Sequence, residues 1–252
     1  MKLLCLGCLH GKIPKKLVKR LRKEDFDYVL CTGDLADGDR TRKLIFRYWD
    51  LLTGGLKLED FVDKKKLEKI RKEEIASMKK SVNFLDSLGK KVLLVYGNND
   101  YLRKHVEDKS LSTLDELIKK KDIWLIRRGS LKGEVNIAGV SGFRYNINEV
   151  KKVLSKIKNP VIFMTHVPAY GYFDKVKLKI SPAYGEHVGE KSVLWGIKRY
   201  KPLVHISSHM HEHQGKKKLG KTWVVNTGAA YLGRYVIVDI EKNKVKSVRF
   251  GR

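Results

Sequence analysis

Leu3-Leu4-Cys5-Leu6-Gly7-Cys8-Leu9-His10-Gly11 is the stretch from which the rest of the chain can be read. A short apolar run stops at a glycine, and a loop carrying a cysteine and a histidine follows. Four further apolar runs likewise end in polar or glycine-containing loops. Residues 28–31 run into Thr32-Gly33-Asp34, 92–96 into Gly97-Asn98-Asn99-Asp100, 161–165 into His166, and 203–207 into Ser208-His209-Met210-His211. Runs this short, rich in Val, Ile and Leu and without polar alternation, read as strands covered on both faces. Further runs lie at 123–126, 135–140 and 223–225, and 235–240 with 245–250 reads as a closing hairpin. Helical stretches at 15–23, 111–121, 148–158 and 191–200 alternate with them, so the expected class is α/β, layered, with central β-sheets flanked by helices.

One region breaks the alternation. Phe46, Trp49 and Leu52, then Leu67, Ile70, Ile75, Met78, Val82 and Leu85, recur at near-helical spacing, divided at Thr53-Gly54-Gly55. Two or three amphipathic helices packed on the domain's flank are expected here, with a cap over a substrate cleft as the alternative. The chain has no internal repeat and no low-complexity linker. Residues 1–252 therefore read as one domain with a helical insertion at about 41–88.

Composition narrows the classes. With 42% of its 252 residues apolar, the chain can bury a core and is not of the disordered class. No apolar run approaches the roughly 18 residues of a membrane span. The N-terminus passes into Gly7-Cys8 without a signal-peptide cleavage site, and Cys5, Cys8 and Cys31 are too few for a disulfide framework, so a cytoplasmic protein without membrane partners is expected. Lys and Arg number 54 against 28 Asp and Glu, a net charge of +26. Such a balance draws anions from a distance and suits a nucleic acid or a phosphorylated substrate. A Lys/Glu-rich surface of heat-adapted type is the alternative. The oligomeric state is not written in the sequence.

In open α/β sheets, ligands sit beyond the carboxyl ends of the strands. Five strands here deliver His10, Asp34, Asn98, His166, His209 and His211 to that edge. Imidazole with carboxylate suits Zn, Fe, Mn or Ni rather than Ca. The order of these blocks, with Thr165-His166-Val167-Pro168, Gly185-Glu186-His187-Val188-Gly189, Ser208-His209-Met210-His211-Glu212 and Val225-Asn226-Thr227-Gly228, resembles the calcineurin-like metallophosphoesterase superfamily, in its small prokaryotic phosphoesterase branch. The resemblance implies two divalent metal ions sharing a hydroxide nucleophile. His10, Asp34 and His211 would face the first; Asp34 would bridge to the second, with Asn98, His166 and His209. Asn98 could also donate to the substrate phosphate. The implied activity is metal-dependent hydrolysis of a phosphodiester or activated phosphomonoester. The alternative is a phosphoesterase-like module with little or no turnover that binds nucleic acid or another anionic partner.

Three positions depart from the family pattern. Cys8 stands where an Asp usually binds the first metal. As a thiolate it could still serve Zn or Fe(II); otherwise it is a small buried strand-end residue. Asn99 stands where many relatives place the histidine that protonates the leaving oxygen, and His187 is the candidate replacement. Ser208 replaces a glycine before His209. Arg144 could clamp a phosphate, and Tyr170 and Tyr172 could wall a pocket, with ordinary loop packing the alternative for each. The Cys5-x-x-Cys8 spacing is not read as a redox pair, because both lie along a strand rather than at a helix N-terminus. His105, His205 and His213 match no block, and His205 reads as a core or edge histidine.

Overall fold

The computed structural model describes residues 1–133, 135–158 and 161–251, apart from the side chain of His105. Its strands are β1 (Lys2–Leu6), β2 (Tyr28–Cys31), β3 (Val92–Leu94), β4 (Ile123–Leu125), β5 (Arg128–Leu131), β6 (Asn136–Val140), β7 (Val161–Thr165), β8 (Val204–Ser207), β9 (Gly215–Leu219), β10 (Thr222–Asn226), β11 (Tyr235–Glu241) and β12 (Lys244–Gly251). The helices are α1 (Lys15–Leu21), α2 (Asp39–Arg47), α3 (Trp49–Thr53), α4 (Lys64–Asp86), α5 (Leu114–Leu117), α6 (Ile147–Leu154) and α7 (Lys191–Tyr200). The strands make two six-stranded sheets, ordered β12-β11-β1-β2-β3-β4 and β5-β6-β7-β8-β10-β9. The first is parallel from β1 to β4, with the β11–β12 hairpin added antiparallel to β1. The second is parallel over β6, β7, β8 and β10, with antiparallel strands at both edges.

Side-chain alternation explains the layering. In β1, Leu4 and Leu6 point to a core shared with Leu17 and Leu21 of α1 and with Met78, Val82 and Leu85 of α4. Leu3 and Cys5 point the other way, into a core shared with Ile162, Met164, Val204 and Ile206 of the second sheet. The far face of that sheet packs Phe163 and Val224 against Val150, Val153, Val193 and Ile197 of α6 and α7. Helix, sheet, sheet and helix are thus stacked, and the inner strands are apolar on both faces because both faces are covered.

The sequence reading corresponds to this architecture with three corrections. The strand ends that carry the site belong to two sheets, β1 to β3 in one and β7 and β8 in the other. The helix expected over 111–121 contracts to α5, whose start is set by Thr113 in a reciprocal cap with Glu116 and which ends at Leu117. Two strands were not anticipated, β5 and β9. Both are edges of the second sheet and both are polar, Arg-Gly-Ser-Leu and Gly-Lys-Lys-Lys-Leu, as edges exposed to water tend to be.

Within the region of the expected insertion the helices differ: α2 and α3 bury no residue, whereas α4 packs against the first sheet. Helix α4 buries Ile75, Met78, Val82 and Leu85. A polar stripe beside them grips the loops of the site: Asp37 N–H donates to Ser77 Oγ at 2.7 Å, Gly11 N–H donates to Ser81 Oγ at 3.0 Å, and Ser81 donates to Leu35 O at 2.7 Å. Buried Glu74 joins the same stripe, accepting from Thr41 Oγ1 at 2.8 Å and from the Tyr101 hydroxyl. Among the described residues, no helix is long and apolar enough to cross a membrane.

Candidate metal centre

The loops that follow β1, β2, β3, β7 and β8 converge. One ligand atom from each of Cys8, His10, Asp34 and His211 lies within 4.8 Å of the others, and the same holds for Asp34, His166 and His209. Asp34 belongs to both groups. Asn98 joins the second through its Oδ1, 3.0 Å from His166 Nε2. All seven residues expected to face a metal are therefore together.

The backbone is bent to achieve this. Cys8, His10, Asp34 and His209 all have left-handed φ, at 53°, 51°, 57° and 61°. For a residue with a Cβ that conformation costs about 1–3 kcal/mol and persists only where neighbours over-determine it. Here they do. Cys8 N–H donates to Gly33 O at 2.8 Å and His10 N–H to Asp34 O at 3.0 Å, while Ser208 N–H donates to His166 O at 3.0 Å. Each ligand loop is thus stitched to its neighbour. Gly97 is required for a different reason: a Cβ there would lie 2.3 Å from Asp34 Oδ1 and 2.7 Å from His166 Cε1.

The ring nitrogens show what the site accepts. His10 Nδ1 is 2.8 Å from Ala36 O and His166 Nδ1 is 2.7 Å from Thr32 O. A carbonyl only accepts, so both rings carry a proton on Nδ1 and turn Nε2 inward. His10 Nε2 meets His211 Nε2 at 3.0 Å. His166 Nε2 meets Asn98 Oδ1 at 3.0 Å, His209 Nδ1 at 3.1 Å and Asp34 Oδ1 at 3.4 Å. Nitrogens and oxygens gathered this closely around a buried carboxylate suit a shared positive charge, and this donor set fits a divalent cation on each side of Asp34.

The electrostatics agree. Burial pulls His209 and His211 down to about 3, helped by the charge of neighbouring His166 and His10 respectively, so both imidazoles are neutral donors at neutral pH. Burial acts against the charged form of Asp34, yet His166, His10 and His209 outweigh it and hold the carboxyl below its usual range. His166 shows the reverse balance: burial lowers it, and the charge of Asp34 prevails and raises it. Burial and Asp34 push the Cys8 thiol well up, so it becomes a thiolate ligand only when a cation displaces its proton.

Asn99 has a definite place. Its Nδ2 donates to Asp34 Oδ2 at 2.7 Å and its backbone N–H donates to Asp34 Oδ1 at 3.0 Å. It holds the shared carboxylate instead of standing clear for a leaving group. Ser208, fully buried, accepts from Thr32 Oγ1 at 2.9 Å, and the two hydroxyls fill the space where a Cβ on Gly7 would sit. His187 lies in the loop between β7 and α7, its Nδ1 2.7 Å from buried Asp174 and its ring 5.6 Å from Tyr170. Arg144 is exposed with φ of 74°, its guanidinium 6.0 Å over Phe143, whose ring lies 5.3 Å from His209. The C-x-x-C reading needs one correction: Cys8 lies beyond the end of β1, and Cys5 sits alone between the sheets, both as free thiols.

Two contributors were not singled out from the sequence. Asp100 accepts from the backbone of Asp34, Leu35 and Gly97 at 2.9, 2.7 and 2.8 Å, welding the β2 loop to the β3 loop. Its place directly after Gly97-Asn98-Asn99 was the available signal. Tyr231 packs its ring 5.6 Å from His10 and 5.2 Å from His211, and it could be found only in three dimensions.

Comparison with known proteins places this geometry. The family described as metallophosphoesterase, calcineurin superfamily, matches residues 1–250. Among solved structures, one crystal structure shares 20% identity over 98% of each chain with a TM-score of 0.74. That of TT1561 from Thermus thermophilus shares 15% identity, covering 99% of this chain and 97% of its own, with a TM-score of 0.63. At such identities both likenesses speak to the fold alone. No curated protein matches the chain. With the family matched over almost the whole length, the chain belongs to the calcineurin superfamily of metallophosphoesterases.

Proposed function

We propose that the chain is a phosphoesterase that cleaves phosphodiester or activated phosphomonoester bonds at a site holding two divalent metal ions, drawn from Mn, Fe, Zn or Ni. The observation that carries this reading is the convergence of inward-facing ligand atoms on both sides of Asp34. When bound, such a pair of cations supplies Lewis acidity toward phosphoryl oxygens and lowers the pKa of water near neutrality. Cys8, His10, Asp34 and His211 would hold one, and Asp34, Asn98, His166 and His209 the other.

The chain's own groups do the rest. Asn99 fixes both oxygens of Asp34, so the shared carboxylate is oriented in advance. Asn98 turns its Oδ1 to His166, which leaves its amide hydrogens for a phosphate oxygen of the substrate. Arg144, one residue from the Phe143 that contacts His209, is assigned to the same phosphate. Asn99 donates no proton at neutral pH, and its amide is already committed to Asp34. Leaving-group protonation therefore falls to His187, oriented by Asp174, or is not needed when the leaving group is an aryl oxide.

The test is metal content followed by turnover. Protein purified without chelator should carry about two metal ions per chain and hydrolyse bis(4-nitrophenyl) phosphate, whereas Asp34→Asn should lose both properties. Undiminished turnover in Asp34→Asn would overturn the reading. The commitment of Asn99 to Asp34 also favours a second reading, a module that keeps the fold with little turnover. Protein that takes up no metal and gains no stability from added Mn or Zn would point there.

A further inference from the structure

Immediately downstream of His211, the chain builds a surface that the metal centre does not use. Strand β9 begins four residues after it and carries Lys216, Lys217 and Lys218 on the open edge of the second sheet, all exposed. Beside it runs the loop after β7, where Lys175, Lys177 and Lys179 are exposed at every second position. The two segments are joined: Lys177 N–H donates to Glu212 Oε1 at 2.9 Å, and His213 Nε2 donates to Lys175 O at 2.8 Å. Among the described residues none of these six ammonium groups forms an ion pair.

Their arrangement is defined. Lys216 and Lys218 lie over the ring of Trp223 at 5.3 and 4.2 Å, and Lys217 lies over Phe173 at 5.7 Å, as side chains alternating about a strand must. Lys216 Nζ donates to Val248 O at 3.0 Å and Lys218 Nζ to Lys221 O at 3.2 Å. These neutral partners steady the side chains and leave their charge uncompensated. Aromatic rings beneath and carbonyls beside them favour cations held in place. Six ammonium groups spread over β9 and the 175–179 loop are more than one phosphate can engage. The surface matches a ligand with several phosphates in series.

We propose that β9 and the 175–179 loop form a track for the phosphodiester backbone of a nucleic acid, leading it to the metal centre. This names the substrate class of the proposed phosphoesterase and rests on that reading for the cleavage, though not for the binding. The contacts are to phosphate, so affinity depends on salt and little on base sequence.

The experiment compares two triple variants with equal loss of charge, Lys216→Gln/Lys217→Gln/Lys218→Gln on the track and Lys64→Gln/Lys65→Gln/Lys66→Gln at the exposed start of α4. Binding of fluorescein-labelled oligothymidylate, oligouridylate and a DNA duplex is followed by anisotropy in EDTA, across about 50 to 200 mM salt. For the single strands, the track variant should bind about tenfold or more weakly than wild type, and its slope of log K against log salt should be shallower by about 2. The α4 variant should stay close to wild type. Equal losses in both variants, an unchanged track variant, or no binding by the wild-type chain would each overturn the proposal. The three probes identify which nucleic acid is carried. Wild-type hydrolysis of bis(4-nitrophenyl) phosphate, measured alongside, reports on the two-cation reading alone: without it that reading fails, while a salt-dependent difference between the variants still establishes the track.

Discussion

The two candidate cation positions share Asp34 and differ in nearly everything else a metal would experience. One is built from His166, His209 and Asn98, all nitrogen or amide-oxygen donors; burial keeps His209 neutral, while the charge of Asp34 raises the pKa of His166. The other adds His10 and His211 to Cys8, whose thiol is held protonated by burial and by the charge of Asp34. The first would suit a range of borderline cations. The second would have to exchange the thiol proton for the metal and would then offer sulfur, which favours Zn and Fe(II) over Mn or Mg. A site built this way is graded, with one general position and one selective position on either side of a common carboxylate.

The largest expected effect tests that grading directly. His166 Nε2 is the atom that Asn98, His209 and Asp34 all face, and its ring is fully buried. His166→Ala should cost about a thousandfold or more in turnover of an aryl phosphodiester, equivalent to about 4 kcal/mol. Cys8→Ala leaves His10, Asp34 and His211, three ligands of the kind that suffice for many catalytic zinc sites. Its loss should be smaller, about tenfold to a hundredfold, and should be met at higher metal concentration. Titrating both variants with Zn and Mn checks the order. Equal losses would remove the distinction between the positions.

Cys8→Asp sharpens the comparison. Aspartate tolerates the left-handed φ of 53° at this position better than cysteine does. It also replaces sulfur with oxygen, and activation by Mn relative to Zn should rise by about tenfold. The gain has a cost in the metal-free chain, where a second carboxylate would sit buried beside Asp34. Its melting temperature without metal should fall below wild type, and the increase on adding Mn should be larger. A variant with an unchanged Mn-to-Zn ratio would show that Cys8 does not touch the metal.

What the sequence revealed, and what it hid, divides along the same physical lines. Strands covered on both faces announce themselves as apolar runs, and β1, β2, β7 and β8 stand almost where those runs predict. Edge strands obey a different constraint, and β5 and β9 are invisible to a search for apolar runs. The candidate ligands were legible because each lies in the loop that follows a strand. That Asn99 braces Asp34 was not, since a hydrogen bond between residues 65 apart leaves no trace in either segment. Nor was the weld at Asp100, whose carboxylate is occupied with backbone amides of two loops.

The smallest effect concerns an imidazole that belongs to neither position. His205 lies on β8, fully buried, with Nε2 2.8 Å from Thr165 Oγ1 and, among the described residues, no hydrogen-bond partner for Nδ1. Thr165 passes its own proton to Val167 O at 2.7 Å, so the ring donates from Nε2 and its orphan Nδ1 is a bare lone pair. Burial drops its pKa to about 3, against about 6.5 in an unfolded chain. As pH falls through that window the unfolded state takes up a proton that the folded state refuses. The contribution of His205 to stability is therefore complete above about 6.5 and is lost progressively toward 3, at no more than about 1.4 kcal/mol per pH unit. His205→Leu removes the titration and the orphan nitrogen together while leaving Thr165 its bond to Val167. At about pH 7.5 its stability should lie within about 1 kcal/mol of wild type, and its melting temperature should fall less between about pH 6.5 and 5. Both chains are compared loaded with the same metal, so that His209 and His211, four and six residues along the same segment, are engaged as ligands and do not add their own protons to the slope. Parallel melting curves across that range would mean that the ring already accepts a proton inside the fold, and that the space behind Thr165 is wetter than its packing against Phe163 implies.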